Sequence, residues 1–267
     1  MVCYPIPKKK CGVKIKDALR LIPDLKVIKG GQTNRIDLGD PITLLLYNRL
    51  ILKDFLNLDF SIPKGFLVPT ICNRWAFVDW ILQEHPSYVL EVGTGASAIL
   101  ALMFAAMGCK VVATEINKDA FLSAEENVVR NSFQELIVLR YVKDPKHILA
   151  DLFQSIEQFD AVVCNPPQYD HEYFQNQLRS KKGFLGQESE LVGGIEGTEF
   201  LRRFLKEGSS YPNFPAIYFQ LLNPKIFTKV GEFLTKNDFH FNEKKISFGT
   251  RTRSFFRVYG KGSGKFT

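Results

Sequence analysis

The stretch between residues 88 and 115 limits the fold of this chain more than any other part of the sequence. Tyr88-Val89-Leu90-Glu91-Val92 has the composition of a buried strand, and the turn Gly93-Thr94-Gly95 follows it directly. Ser97 to Met107 is apolar enough for a buried helix, and Lys110 to Glu115 has the pattern of a second strand. A strand, a tight turn, a helix and another strand at this short spacing predict a parallel sheet with helices packed on it.

The same alternation continues along the rest of the chain. Further strands are predicted at 136–142, around Val162-Val163, at 216–222, near 239–242 and near 254–259. Further helices are predicted at 16–25, from Pro41 with Asp40 as N-cap, at 73–83, from the N-cap Asn117 to Arg130, and at 145–156, 198–206 and 224–236. The pattern predicts an α/β fold with a doubly wound, mostly parallel sheet, whose last two strands form an antiparallel pair at one edge.

Charge is distributed unevenly over the chain, whose net charge is +7. Residues 1–40 hold nine basic and four acidic side chains, and residues 244–267 hold seven basic and no acidic ones. The long middle therefore carries a net charge of −5. Two basic ends around an acidic middle favour a polyanionic partner that binds beside the domain. Two solvated tails without a partner would have the same composition. We predict a basic N-terminal segment over 1–40 and one larger domain over 41–267.

Several classes of protein are disfavoured by the composition. No apolar run reaches the ~18 residues that a membrane helix needs, and the N-terminus lacks the apolar segment of a signal peptide, so we expect a cytoplasmic protein. The five cysteines include no Cys-x-x-Cys and are expected to be reduced. The four histidines lack ligand spacing, which argues against a metal site, and no Gly-x-Ser-x-Gly of a serine hydrolase occurs.

The glycine turn after the first core strand has the features of a nucleotide cofactor site. Gly93 and Gly95 let the backbone approach a ligand closely, and the helix that follows from Ser97 adds a favourable field at its N-terminus. Glu115 ends the next strand, twenty residues after Gly95, where a carboxylate can accept hydrogen bonds from ribose hydroxyls. This signature alone fits a nicotinamide dehydrogenase as well as a methyltransferase.

Asn165-Pro166-Pro167 separates these two possibilities. It follows the apolar run 159–164, and the two prolines make a stiff corner at the carboxyl end of a predicted strand. The Asn165 side-chain oxygen and the Pro166 carbonyl can accept both N–H bonds of a planar amino group, which favours a lone pair localised on nitrogen. With S-adenosylmethionine as methyl donor no strong base is required. A stiffened loop without chemistry would show the same three residues, but the upstream cofactor signature favours amino-directed methyl transfer.

Residues 169–196 follow this corner and break the regular alternation. They are polar, contain four glycines and show little periodicity. A loop longer than ~15 residues inside a compact domain is usually functional or disordered. We therefore predict that this stretch is a loop that faces the substrate.

Taken together, these motifs resemble the adenine-N6 RNA methyltransferases, a methyltransferase-like family that includes a bacterial large-subunit ribosomal RNA enzyme and a human small nuclear RNA enzyme. The pieces that carry the resemblance are Ile22-Pro23-Asp24-Leu25-Lys26, Asp40-Pro41, Val68-Pro69-Thr70 with Arg74, Val92-Gly93-Thr94-Gly95-Ala96-Ser97, Ala113-Thr114-Glu115, Cys164-Asn165-Pro166-Pro167 and Arg251-Thr252-Arg253. The resemblance implies a Rossmann-like class I methyltransferase fold with a seven-stranded sheet and a small N-terminal appendage. It also implies S-adenosylmethionine as cofactor and a structured, adenosine-containing RNA as partner.

Individual roles follow from the resemblance. Arg74 would pair with the carboxylate of the cofactor's methionine part, Glu115 would hold the ribose, and His147 would lie near the adenine. The implied cofactor-binding residues are Arg74, Gly93, Thr94, Gly95, Ser97, Glu115, His147 and Asn165. The implied catalytic residues are Asn165, Pro166, Pro167 and Gln168, and the expected RNA-binding residues are Lys8, Lys9, Lys10, Lys14, Lys16, Arg251, Arg253 and Arg257.

Gln168 departs from the family pattern, which has an aromatic residue after Asn-Pro-Pro on which the target base stacks. Glutamine stacks poorly, so Tyr169 is a substitute for that role or the methyl acceptor differs. The alternatives are a glutamine-directed protein methyltransferase, which also uses Asn-Pro-Pro, and an RNA-binding protein with a vestigial cofactor pocket. The sequence leaves the target RNA open, and a monomer is slightly favoured.

Overall fold

The computed structural model describes residues 4–30, 34–144, 146–149, 159–179, 186–210, 215–248 and 251–259. Two short strands lie near the N-terminus, β1 (Val27–Ile28) and β2 (Arg35–Ile36). The strands of the main sheet are β3 (Tyr88–Val92), β4 (Lys110–Glu115), β5 (Ile137–Tyr141), β6 (Ala161–Cys164), β7 (Ala216–Leu221), β8 (His240–Phe248) and β9 (Arg251–Tyr259). The helices are α1 (Ile15–Leu21), α2 (Pro41–Leu56), α3 (Ile71–Leu82), α4 (Ile99–Ala106), α5 (Lys118–Arg130), α6 (His171–Arg179), α7 (Glu188–Leu191), α8 (Glu199–Gly208) and α9 (Phe227–Lys236), with 3-10 turns at Ile195–Gly197 and Pro224–Ile226.

The main sheet has the order β5-β4-β3-β6-β7-β9-β8. β3 pairs in parallel with β4 on one side and with β6 on the other, while β7–β9 and β9–β8 are antiparallel. This arrangement confirms the predicted seven-stranded, mostly parallel sheet with an antiparallel edge. The chain reverses its winding direction between β3 and β6, and open α/β sheets bind ligands at the carboxyl ends of the strands at such a point.

Apolar helices cover both faces of this sheet. α2, α3 and α4 pack on one face around residues such as Phe77 and Met103, and α8 and α9 pack on the other around Phe204 and Leu234. Seven of the eight residues of α4 are buried, which explains its continuously apolar sequence. The predicted N-caps are also confirmed, since the side chains of Asp40 and Asn117 accept backbone N–H bonds in the first turns of α2 and α5.

The N-terminal segment packs on the larger domain. Ala18, Leu25 and Ile36 form a small apolar cluster against α2, and the hydroxyl of Tyr47 donates to the carbonyl of Val13 at 2.9 Å. At the other end, the hydroxyl of Tyr4 donates to the carbonyl of Pro86, just beyond α3. The segment therefore runs along α3 as part of the same packed body.

Three predicted elements differ from the structure. The stretch 169–196 contains α6, α7 and a 3-10 turn in its described residues and is not one long loop. The helix predicted at 145–156 falls mostly outside the described residues, and 146–149 are not helical. β8 and β9 have nine residues each and so extend well beyond the predicted strands. Among the described residues, no helix is long and apolar enough to cross a membrane, and no cluster of side chains suited to holding a metal ion occurs.

Candidate active site

A cavity of about 330 Å³ lies at the carboxyl ends of β3, β4 and β6. Its wall includes every residue that the resemblance assigns to the cofactor, together with Pro167: Arg74, Gly93, Thr94, Gly95, Ser97, Glu115, His147 and Asn165. These residues come from α3, from the turns after three strands and from the 146–149 stretch. The fold thus brings together residues that are up to 93 positions apart in the sequence, Arg74 and Pro167.

The glycine turn has a conformation that only glycine adopts easily. Gly93 has a φ of +72° and Gly95 a φ of +68°. A Cβ at Gly93 would meet nothing within 4 Å, so backbone conformation rather than space requires glycine there. The Gly95 amide donates to Oε2 of Glu115 at 2.8 Å, which joins the turn to the end of β4.

Two buried carboxylates line the cavity. Burial raises the pKa of Glu91 to about 7, although the Thr94 hydroxyl and the Ala101 amide donate to it and oppose this effect. Burial also raises the pKa of Glu115, again against three backbone N–H donors, those of Gly95, Ile116 and Asn117. The cavity wall therefore includes two carboxylates that are held in place by hydrogen bonds from the protein.

Arg74 is the buried cation of the cavity. The side-chain oxygen of Asn48 on α2 accepts the Ile71 amide at 2.9 Å and so caps α3, the helix that carries Arg74. Burial and the positive charge of Arg253 lower the pKa of Arg74 to about 10, although the charge of Glu91 opposes this effect. Its Nη1 is buried and has no hydrogen-bond acceptor among the described residues. A ligand carboxylate would supply the missing acceptor and the missing negative charge.

Asn165 offers the complementary group. It follows β6 directly, it lines the cavity, and its side-chain oxygen is buried without a donor among the described residues. Buried polar atoms are nearly always hydrogen-bonded, so a free acceptor in a cavity wall is a position for a ligand donor. The unpaired donor at Arg74 fits the carboxylate of an amino acid sulfonium. The unpaired acceptor at Asn165 fits the amino group of a second molecule bound beside it.

The structure corrects the placement of Gln168. It is 3% exposed and does not line the cavity. Its side chain turns toward the end of β7, where the amides of Leu222 and Asn223 donate to its oxygen. Its amide satisfies backbone groups there and is not available to contact a target base. Pro166 is also buried, between the two cavity residues Asn165 and Pro167.

Known proteins decide the assignment. A family described as RNA methyltransferase matches residues 18–213, about three quarters of the chain. The chain belongs to this RNA methyltransferase family. A methyltransferase-family protein of Methanocaldococcus jannaschii, MJ0046, is 30% identical over 241 residues, covering 84% of this chain and 88% of the relative. The ribosomal RNA large subunit methyltransferase F of Pectobacterium atrosepticum is 32% identical over 72% of this chain and 69% of the relative.

Solved structures show the same fold. The N-terminal domain of human METTL16 in complex with SAH has a TM-score of 0.73 at 20% identity and covers 91% of this chain and 92% of that domain. The METTL16 catalytic domain in complex with a MAT2A 3′UTR hairpin has a TM-score of 0.81 at 21% identity, covering 93% and 91%. The predicted family and class of fold are confirmed, and the cofactor of this RNA methyltransferase is S-adenosylmethionine.

The basic residues of the methyltransferase fall into two groups. Six of the predicted RNA-binding residues are exposed, namely Lys8, Lys9, Lys10, Lys14, Lys16 and Arg251. Lys9 is paired with Asp54 on α2 at 2.8 Å, and the thiol of Cys11 lies 2.9 Å from that of Cys72 on α3, two residues before the cavity residue Arg74. The basic N-terminal stretch therefore lies against α2 and along α3, the helix that carries Arg74.

Arg253 and Arg257 differ from the expectation of a free basic surface. Arg253 is 8% exposed and donates to the carbonyls of Leu222 and Thr252. Arg257 is paired with Glu84, and its guanidinium lies over the Tyr259 ring, 4.6 Å from the centroid. Both point to the α3 face of the sheet because residues alternate along β9, which a count of charges in the sequence does not reveal.

Glu190 is a cavity residue that the sequence did not single out. It belongs to α7, and its Oε2 accepts the Leu67 amide at 3.0 Å, which fastens 186–192 to 65–69 beside the glycine turn, where a Cβ at Gly95 would lie 3.9 Å from Glu190 Oε1. The amide of Gly186 also donates to the carbonyl of Gly65. The glycines around this stretch were the available signal, but they indicated only an irregular segment.

Proposed function

We propose that this methyltransferase transfers a methyl group from S-adenosylmethionine to the N6 amino group of adenosine in a structured RNA. The observation that carries the proposal is the unpaired, buried side-chain oxygen of Asn165 in the cavity wall beside the glycine turn. One relative is named for ribosomal RNA, and a Danio rerio relative that is 32% identical over 56% of this chain is named RNA N(6)-adenosine-methyltransferase. The bacterial ribosomal relatives support a cytoplasmic location.

The residues of the cavity suit S-adenosylmethionine. Arg74 would bind the carboxylate of its methionine part, and Glu115 would accept hydrogen bonds from its ribose. The backbone of the turn and the residues at its ends, Gly93, Thr94, Gly95 and Ser97, would contact the methionine and ribose, with His147 at the exposed rim near the adenine. When bound, the cofactor supplies a methyl group on a sulfonium, which is a good leaving group.

The protein's own contribution is to position and polarise the target amine. The side-chain oxygen of Asn165 and the carbonyl of Pro166 would accept its two N–H bonds, so that the nitrogen lone pair is localised and directed at the methyl group. No strong base is needed, because the amine loses a proton to water after its methylation. Fixed acceptor dipoles in a site closed to water act mainly by orientation and electrostatics.

The exposed lysines of residues 1–40 and Arg251 are the proposed RNA contacts. Burial raises the pKa of Tyr169, and the positive charges of Arg253 and Arg251 oppose this rise, so Arg251 is within electrostatic reach of Tyr169, four residues after Asn165. An RNA backbone that contacts both basic regions would pass the mouth of the cavity. Phosphate contacts of this kind supply affinity and position rather than base specificity.

A labelling experiment tests the proposed reaction. The protein is incubated with S-adenosylmethionine that carries a radiolabelled methyl group and with total RNA or total protein from an extract without this activity. The labelled pool is then digested to nucleosides or amino acids. Label is expected in N6-methyladenosine. Label confined to methylglutamine would instead identify a protein methyltransferase and contradict the proposal.

The N-terminal segment has its own test. The double variant Lys8→Glu and Lys10→Glu leaves the Lys9–Asp54 pair intact and should weaken RNA binding at least about 10-fold, because each charge that contacts phosphate releases counterions. The salt dependence of binding should become less steep, and affinity for S-adenosylhomocysteine should not change. The control is Lys118→Glu with Lys236→Glu, two exposed lysines outside the segment with the same change of charge. Equal losses in both double variants would indicate a general charge effect.

A further inference from the structure

We infer that Gln168 is a positioning residue that fixes the carbonyl of Pro166 against the end of β7. The carbonyl is the second acceptor of the proposed reaction, so the inference deepens the proposed function. It assigns a role to the residue that stands where the resemblance predicts an aromatic side chain.

The hydrogen bonds determine how the Gln168 amide is oriented. Its oxygen faces two backbone donors, the amides of Leu222 and Asn223, the second at 2.8 Å. A side-chain nitrogen placed there would oppose two N–H groups, so the orientation of the amide is set by its partners. The nitrogen therefore faces the other way and donates to the carbonyl of Pro166 at 3.3 Å.

Leu222 and Asn223, which bind the Gln168 side chain, are themselves fixed by further hydrogen bonds. The side-chain nitrogen of Asn223 donates back to the backbone carbonyl of Gln168 at 3.1 Å. Arg253 donates to the carbonyl of Leu222, so the buried arginine of β9 supports the same strand end. The backbone N–H of Gln168 donates to the carbonyl of Leu191 at 3.0 Å. The corner is thus connected to both β7 and the segment that carries Glu190.

Close backbone packing removes the remaining freedom of the corner. A Cβ at Gly193 would lie 2.5 Å from the carbonyl oxygen of Pro167, and one at Gly197 would lie 2.6 Å from that of Gln168. Only glycine permits these approaches, so two glycine backbones enclose residues 167 and 168. Within this enclosure the Gln168 amide is the side-chain donor that reaches the Pro166 carbonyl.

A carbonyl oxygen has two lone pairs. The Gln168 amide uses one of them and fixes the direction of the other, which leaves a single acceptor position for the target amine. An aromatic residue at position 168 could stack on a base but could not donate this hydrogen bond. In this chain the residue after Asn-Pro-Pro therefore orients the Pro166 carbonyl and does not contact the substrate base.

The variant Gln168→Glu tests the donated bond separately from the anchor. A carboxylate still accepts from Leu222 and Asn223, but it repels the Pro166 carbonyl. When protonated, the carboxyl can donate to that carbonyl again. We expect single-turnover methyl transfer to total RNA at about pH 8 to fall at least about 10-fold below the wild type, and this deficit to shrink as the pH falls toward about 6. Affinity for S-adenosylhomocysteine, measured by calorimetry, should stay within about twofold.

The result that overturns the inference is a wild-type rate at about pH 8, or a loss that does not change with pH. Gln168→Met, of similar size but without donor or acceptor, is the control and should show a loss that is flat with pH. A second measurement needs no variant, since the wild-type protein should show an NMR coupling through the hydrogen bond between the Gln168 side-chain nitrogen and the Pro166 carbonyl carbon. Absence of that coupling overturns the inference even if the variant does not fold. If N6-methyladenosine were not the product, the proposed function alone would fail, because the NMR coupling does not depend on which acceptor is methylated.

Discussion

Replacing Asn165 with alanine is expected to slow methyl transfer by at least about 100-fold while affinity for S-adenosylhomocysteine stays within about twofold. The substitution removes the unpaired oxygen in the cavity wall but leaves Arg74 and the glycine turn in place. Loss of one preorganised polar group that acts in the transition state costs roughly 10²–10³ in rate. Single-turnover kinetics with saturating cofactor, together with calorimetric titration, separates the two effects.

Asn165→Asp is the informative companion of this variant. Aspartate keeps an oxygen in the same position and adds a charge, so it should retain more activity than alanine if acceptance of the target N–H is what matters. Pro63→Ala, a change of a proline that does not line the cavity, controls for general loosening of loops. An alanine variant that turns over at the wild-type rate would show that Asn165 does not contact the reacting amine.

Replacing Arg74 with methionine is expected to weaken S-adenosylhomocysteine binding by about 100-fold. Truncating one partner of a buried, charged hydrogen-bonded pair typically costs 2–5 kcal/mol. Arg74 is buried, and its Nη1 has no acceptor among the described residues, so the ligand carboxylate is its expected partner. Isothermal titration of the purified variant measures the change directly.

Without cofactor, the same variant should not lose stability, in contrast to its loss of cofactor affinity. Burial and Arg253 both lower the pKa of Arg74, so its charge is unfavourable when no anion is bound. An apolar side chain of similar size should therefore leave the unliganded melting temperature unchanged or raise it. Arg49→Met on α2 is the matched control, because Arg49 is paired with Asp59 at 2.7 Å, outside the cavity. It should lower stability slightly and leave cofactor affinity unchanged, and the reverse pattern would contradict the role of Arg74.

Sequence reasoning located the cavity because its residues follow local patterns. The strand Tyr88–Val92, the glycine turn and the strand Lys110–Glu115 are each recognisable within a few residues, and they coincide with β3 and β4. The ends of adjacent parallel strands meet at one edge of a sheet, so their final residues had to lie together. Asn165 lies with them because it follows β6, which pairs in parallel with β3.

What the sequence did not reveal depends on contacts between distant residues. Asn48 caps α3 from another helix, 23 positions away, and Gln168 bonds to backbone groups 54 and 55 positions away. Arg253 and Arg257 count as basic residues in any composition, yet one is buried and the other is paired with Glu84. The helices α6 and α7 span only nine and four residues, too short for periodicity to distinguish them from a polar loop.

The course of the N-terminal segment along α3 has a thermodynamic consequence. Arg74 projects from this helix into the cofactor cavity, while Tyr4 and Cys11 lie against its two ends. The part of the RNA that would contact the N-terminal segment is thus separated from the methionine carboxylate at Arg74 by a single helix. If either ligand shifts that helix, detailed balance requires the factor by which the first changes the affinity of the second to equal the factor in the other direction.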